Sequence, residues 1–202
     1  MSRVLLTGSA GFIGSWVTKE LVRQGHDKID IDDLSGGSLK NLKGFDGNFY
    51  RCDCNNEEEI EAIFKGFRPE YVYHLAANAR EGASFFQPLS IVKRNTLAYT
   101  NILMNSIKYG VKRIILFSSI AAYGNQQPPF TEDMPLQPVD LYGLQKANME
   151  QMTKLMAECH GFEYIIFRPF NVYGPGQALN DPFRNVFGIW MNRIMSGESI
   201  QI

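Results

Sequence analysis

The feature that most constrains this chain is the turn Thr7-Gly8-Ser9-Ala10-Gly11-Phe12-Ile13-Gly14. An apolar run over residues 4–7 leads straight into it, and an amphipathic stretch over 12–24 leads out. Strand, glycine turn and helix in that order make a phosphate-binding βα unit. Gly8 permits the tight turn, Gly11 lets the backbone approach a pyrophosphate, and Gly14 lets the helix pack close to the strand. The N–H groups and positive dipole end of the helix then face the phosphates. A glycine-rich turn that binds nothing is the alternative, and the agreement of strand, helix and spacing speaks against it.

Beyond the turn the chain keeps alternating short apolar runs with longer amphipathic ones. Strands are predicted over 28–32, 48–52, 71–75, 113–118 and 163–168, and helices over 56–65, 89–109 and 141–159. Ile114-Ile115-Leu116-Phe117 is apolar throughout, as in a strand buried on both faces. The implied fold is α/β: a Rossmann-like doubly wound parallel sheet with helices on both faces. Two long loops, 76–87 and 120–140, leave the carboxyl ends of central strands, where such sheets place their ligands.

Composition narrows the partners. The 202 residues suffice for one sizeable core. A formal net charge of -1 supplies no field to attract nucleic acid or an anionic membrane. No apolar run approaches the roughly 18 residues of a membrane span. Met1-Ser2-Arg3 leads directly into the first strand and reads as no signal peptide. Cys52-Asp53-Cys54 lacks the two-residue spacer of a redox or zinc motif. With Cys159 these read as reduced thiols of a cytoplasmic protein, and no metal site is expected.

The second strand ends in Asp32-Asp33-Leu34-Ser35-Gly36, with Asp32 18 positions after Gly14. That is close to the acidic residue expected about 20 residues on, which bonds the adenosine ribose. Its charge would repel a 2′-phosphate, and no arginine stands beside it, which favours NAD over NADP. Asp33 reads equally as a turn-capping residue. Asp53 follows the third strand, where an adenine amino group could be bound, and by itself it reads as an ordinary turn residue.

Tyr142-Gly143-Leu144-Gln145-Lys146 carries the chemistry. Helical positions four apart share a face, so phenol and ammonium share a site. The cation favours the phenolate and would make Tyr142 a proton acceptor; a plain surface pair on a helix is the alternative, and the dinucleotide turn ahead of it speaks against that. Ser119, at the mouth of the fifth strand, can hydrogen-bond a substrate oxygen and relay its proton. A serine that merely ends a strand by turn bonding is the alternative. Tyr123 reads as packing.

Together these residues resemble the extended short-chain dehydrogenase/reductases, and among them the UDP-glucose 4-epimerase-like nucleotide-sugar enzymes. The resemblance runs from Val4 to the last residue. Besides the glycine turn, it rests on Asp32-Asp33-Leu34-Ser35, His74-Leu75-Ala76-Ala77, Ser118-Ser119, Tyr142-x-x-x-Lys146 and Arg168-Pro169-Phe170-Asn171-Val172-Tyr173-Gly174-Pro175. It implies NAD as cofactor. Phe12 and Ile13 join the glycines against the pyrophosphate, and Asp32 with the turn Asp33-Leu34-Ser35-Gly36 holds the adenosine ribose. Asp53 and Cys54 flank the adenine. Leu75, Ala76 and Ala77 line the cofactor, with Asn95 steadying that loop. Ser118, Tyr142, Lys146 and Phe170 lie toward the nicotinamide. Arg80, Ser119, Tyr142 and Asn171 meet the substrate, a nucleotide sugar, most readily a UDP-sugar.

The reaction so implied is epimerisation through a 4-keto sugar, with Tyr142 as base. The family's dehydratases carry an Asp-Glu pair where this chain has Ile120 and Ala121, so dehydration is disfavoured. Gln145 stands where a serine or threonine is usual. Two rival readings remain: a nucleotide-sugar reductase or dehydrogenase with net redox change, and a non-catalytic NAD-binding module. Residues 1–175 are expected to form the cofactor domain and 176–202 the beginning of a substrate-binding region. Family members run on past this point, so the chain is expected to be a fragment that exposes apolar surface meant for the rest. The stretches 89–109 and 141–159 pair across a dimer in the family, so a homodimer is expected.

Overall fold

A computed structural model of the chain describes residues 1–45, 47–79, 81–82, 84–179 and 186–200. Its six strands are β1 (Arg3–Thr7), β2 (Asp27–Asp32), β3 (Phe49–Arg51), β4 (Tyr71–His74), β5 (Arg113–Phe117) and β6 (Glu163–Phe167). They form one sheet in the order β3-β2-β1-β4-β5-β6, and every neighbouring pair is parallel. The chain reverses its direction of winding between β1 and β4, which opens a crevice beyond their carboxyl ends.

Alternation along β1 shows why helices cover both faces. Leu5 packs with Val72, Ile114 and Leu116 into the larger core cluster, under α2 (Glu57–Phe67), α4 (Ala98–Lys108) and α5 (Leu141–His160). Val4 and Leu6 point the other way, onto Leu21 and Val17 of α1 (Phe12–Arg23). Ile60 and Phe64 of α2, four apart, are fully buried, as are Tyr99 and Ile102 of α4. Each such side chain contributes about 1.5–3 kcal/mol of burial. Polar groups set the helix starts: the Asn56 side chain accepts the Glu59 N–H at 3.2 Å, and Asp140 accepts the Gly143 N–H at 2.8 Å.

The structure departs from the sequence expectation in two places. The stretch read as one helix over 89–109 is α3 (Pro88–Val92), a π-helical turn at Lys93–Leu97, and then α4. The widened turn accommodates Asn95, whose side chain turns inward and is fully buried. A further helix, α6 (Val186–Met195), lies where no element was predicted. The strand predicted over 163–168 forms as β6 at the edge of the sheet, and its Tyr164, Ile165 and Phe167 are exposed where the middle of β5 is buried. Among the described residues no helix is long and apolar enough to cross a membrane.

Candidate active site

The glycine turn is built with no room to spare. Gly8 has a φ of +73, and a Cβ there would lie 2.6 Å from the Ala76 nitrogen. A Cβ on Gly14 would lie 2.0 Å from the Gly8 carbonyl oxygen. The turn is tied to the end of β2: the Gly8 N–H donates to the Ile31 carbonyl at 2.8 Å, and the Asp32 carboxylate accepts the Ala10 N–H at 3.0 Å. Asp32 also accepts the Leu34 N–H at 2.7 Å, so both its oxygens are engaged. Burial raises the Asp32 pKa from its ordinary value, against the pull of these N–H bonds.

Around the turn lies a cleft of about 540 Å³ beyond the carboxyl ends of the strands. It collects Gly8, Gly11, Phe12, Ile13 and Gly14 with Asp32, Asp33, Ser35 and Gly36. Asp53, Cys54, Leu75, Ala76 and Ala77 line it as well, and at its other end Ser118, Ser119, Tyr142, Lys146, Phe170 and Asn171. Two residues predicted for the site do not line the cleft. Leu34, with φ +63, contributes its N–H to Asp32. Asn95 acts from behind, accepting the Asn78 N–H at 2.7 Å and donating to the Asn78 carbonyl at 3.2 Å, which fixes the loop after β4. Arg80 lies outside the described residues.

At the chemical end, Tyr142 and Lys146 share the buried face of α5, with the lysine nitrogen 5.8 Å from the tyrosine ring centre. Lys146 is 2 % exposed and donates to the Phe117 carbonyl at 2.7 Å. Burial pulls its amine down to about 8, opposed by the charge of Glu150 one turn further on. Ser119 caps the short turn Ile120–Ala122, its Oγ accepting the Ala121 N–H at 3.1 Å. That bond uses a lone pair and leaves the hydroxyl hydrogen able to donate. Gly143 brings Ser119 near Tyr142: a Cβ there would sit 2.4 Å from the Ala121 carbonyl oxygen, so only glycine lets α5 come this close. A lone glycine inside a helical pattern was the available signal for that contact.

Three groups at the site were missed from sequence or are committed otherwise than expected. The Ser118 hydroxyl donates to Glu150 at 2.5 Å, so its hydrogen is committed there and only its oxygen's lone pairs and its backbone stay open to a cofactor. Glu150 is fully buried and also takes the Arg168 guanidinium, at 2.7 Å from Nη2 and 3.0 Å from Nε. Arg168 in turn donates to the Tyr123 hydroxyl at 2.8 Å. This network joins α5, the end of β5, the segment after β6 and the long loop after β5 around one carboxylate. The third is Arg94. No arginine adjoins the Asp32-Asp33 pair in sequence, but the fold brings Arg94 to Asp33, 3.1 Å away, on the wall of the same cleft.

Sheet order, glycine turn and the Ser119, Tyr142 and Lys146 cluster define a class: a doubly wound, Rossmann-like α/β protein with its polar chemistry gathered at the carboxyl edge of the sheet. Comparison with known sequences narrows this. Residues 4–202 match the NAD dependent epimerase/dehydratase family, and the chain belongs to it. It is 33% identical over 172 residues to a UDP-glucose 4-epimerase of Halalkalibacterium halodurans, covering 85% of this chain and 51% of that protein. The chain thus spans about half the length of that relative. Its structure is similar to the Thermotoga maritima UDP-glucose 4-epimerase with UDP-glucose, with TM-score 0.94 and 37% identity over 99% of this chain and 65% of that one. The Thermus thermophilus UDP-glucose 4-epimerase complex with NAD gives TM-score 0.90 and 32% identity over 98% and 64%.

Proposed function

We propose that this chain carries the cofactor and proton-transfer half of an NAD-dependent nucleotide-sugar 4-epimerase that works through a transient 4-keto sugar, with Tyr142 as base. The observation that carries the reading is that Ser119, Tyr142 and Lys146 line the same cleft as the glycine turn. One cleft therefore joins a dinucleotide cradle to a proton acceptor. UDP-glucose 4-epimerases among the relatives support the substrate class.

The residues fit the cofactor. Bare glycines at Gly8 and Gly14 let the turn close against the Ala76 backbone and against itself, and a pyrophosphate would be held on the N–H groups at the start of α1. Asp32 and the turn through Gly36 would hold the adenosine ribose, Asp53 and Cys54 the adenine, and Lys146 and Phe170 the nicotinamide half. When bound, NAD supplies a reversible hydride acceptor.

The chain's own residues handle the proton. Ser119 donates to the sugar oxygen and orients it toward Tyr142. Tyr142 takes the hydroxyl proton and later returns it. Lys146 favours the phenolate by its charge, at a pKa of about 8 that leaves a large cationic fraction at neutral pH. Asn171 would meet the substrate diphosphate, with Arg80 as a further contact. Exposed Leu89, Leu97 and Met104 along α3, the π turn and α4 support a homodimer formed on that face.

The test is calorimetry and turnover together. NAD should bind the 202-residue chain, and Tyr142→Phe should leave that affinity nearly intact. In the full-length protein the same change should abolish interconversion of UDP-sugar epimers. Undiminished turnover would remove Tyr142 from the chemistry. Stoichiometric release of NADH in place of epimer would favour the dehydrogenase reading.

A further inference from the structure

At the adenosine end of the cleft, Asp32 is nearly enclosed. Its two oxygens are engaged by the Ala10 and Leu34 N–H groups, and it is 8% exposed. Asp33 is different. One oxygen accepts the Ser35 N–H at 2.8 Å, and the other receives Arg94 at 3.1 Å. Both partners remain partly open, with Asp33 at 33% and Arg94 at 43% side-chain exposure. Asp33, Arg94 and Asp53 all line the cleft. Arg94 enters from the π-helical turn, which Asn95 pins to the loop after β4, and Lys93 precedes it on that turn without lining the cleft. Their charges reach Asp53 as well: burial alone would raise its carboxyl, but bonds from Asn55 and then these two cations hold it low.

We infer that Arg94 is a latent phosphate-binding residue masked by Asp33, and that this ion pair sets the preference for NAD over NADP. The inference rests on reading the cleft as a dinucleotide site. With Asp33 in place, Asp32, Asp33 and Asp53 outnumber Lys93 and Arg94, and the only guanidinium among the described lining residues is already bound. A 2′-phosphate, bringing roughly two negative charges, meets net repulsion there. Without the Asp33 charge, acids and bases balance. The guanidinium is then free to offer its planar fork, which matches phosphate oxygens two at a time.

Titration calorimetry of the 202-residue chain with NAD and with NADP tests this. The variants are Asp33→Asn, Arg94→Gln and the two combined, each checked by a thermal melt. The amide of Asp33→Asn keeps an acceptor for the Ser35 N–H and deletes only the charge. Asp33→Asn is expected to raise NADP affinity about tenfold, which is about 1.4 kcal/mol. The double variant should lose that gain, and salt should shrink it in the single one. Arg94→Gln alone should bind NADP no better than the wild type. A gain that survives in the double variant would mean that plain charge removal, not Arg94, is at work, and would overturn the inference. So would an unchanged NADP affinity in folded Asp33→Asn, or a rise in Arg94→Gln. If the folded wild-type chain takes up neither nucleotide, the dinucleotide reading itself falls, and this inference with it.

Discussion

Replacing Glu150 by glutamine probes the carboxylate on which the site is hung. The side chain is fully buried and receives Arg168 through Nη2 at 2.7 Å and Nε at 3.0 and 3.2 Å, besides the Ser118 hydroxyl. Glutamine keeps the shape and one acceptor, so packing survives. What changes is that the Arg168 cation, with a side chain only 10% exposed, loses its counter-charge. Breaking a buried pair this way costs about 3–5 kcal/mol. The retained amide oxygen and the Tyr123 hydroxyl keep the expected loss near the lower figure, about 3 kcal/mol. In urea, with a slope of about 2–3 kcal/mol/M, the midpoint should fall by about 1–1.5 M. The melting temperature should fall by about 6–12 °C for a chain of this length. Replacing both partners by apolar residues, Glu150→Leu with Arg168→Met, should recover most of what Glu150→Leu alone loses, because no charge is then stranded. A loss below about 1 kcal/mol in Glu150→Gln, or a double variant weaker than Glu150→Leu, would refute this account.

Three further outcomes follow from the same geometry. Burial lowers the His74 pKa from 6.5 to about 3, so the unfolded chain binds more protons between those values and stability is lost as pH falls through that window; His74→Phe should flatten the acid limb by about 4 kcal/mol, read from urea midpoints at each pH. Gly143→Ala, which elsewhere in a helix gains up to about 1 kcal/mol, should here cost about 1–3 kcal/mol because the new methyl meets the Ala121 carbonyl, and a stabilised variant would show that α5 is not held at that distance. Leu89→Glu with Leu97→Glu should convert a dimer to monomer in light scattering at an unchanged melting temperature, and an unaltered mass would place any dimer contact elsewhere.

What the sequence made legible was local or periodic. The glycine turn, the strands and the four-residue step from Tyr142 to Lys146 are each written within a few positions, and the structure gathers them in one cleft. What stayed hidden depends on distance along the chain. Asp33 and Arg94 are 61 positions apart, and Glu150 meets Arg168 across 18 and Ser118 across 32. No periodicity announces such pairs, because any exposed charge reads alike until a fold supplies its partner. The π turn at Lys93–Leu97 is silent for another reason: apolar spacing continues through it, and only the inward asparagine marks the change. The edge position of β6 is silent too, since composition cannot tell a strand with one neighbour from a strand with two.

The parallel sheet also dictates an order of events as the chain is made. No two strands in it are joined by a hairpin, so every pairing waits for a distant segment. β1 meets β4 across 67 residues, as its Thr7 to His74 contact shows, and β5 meets β6 across 50. At roughly 5–20 residues per second of synthesis, β1 keeps one edge unpaired for roughly 3–13 s after it is made. The most apolar strands are thus the ones kept waiting, and the slow closure of such contacts governs the folding rate. A chaperone that shelters the β1 edge during that interval would raise the yield of folded chain without touching its final stability.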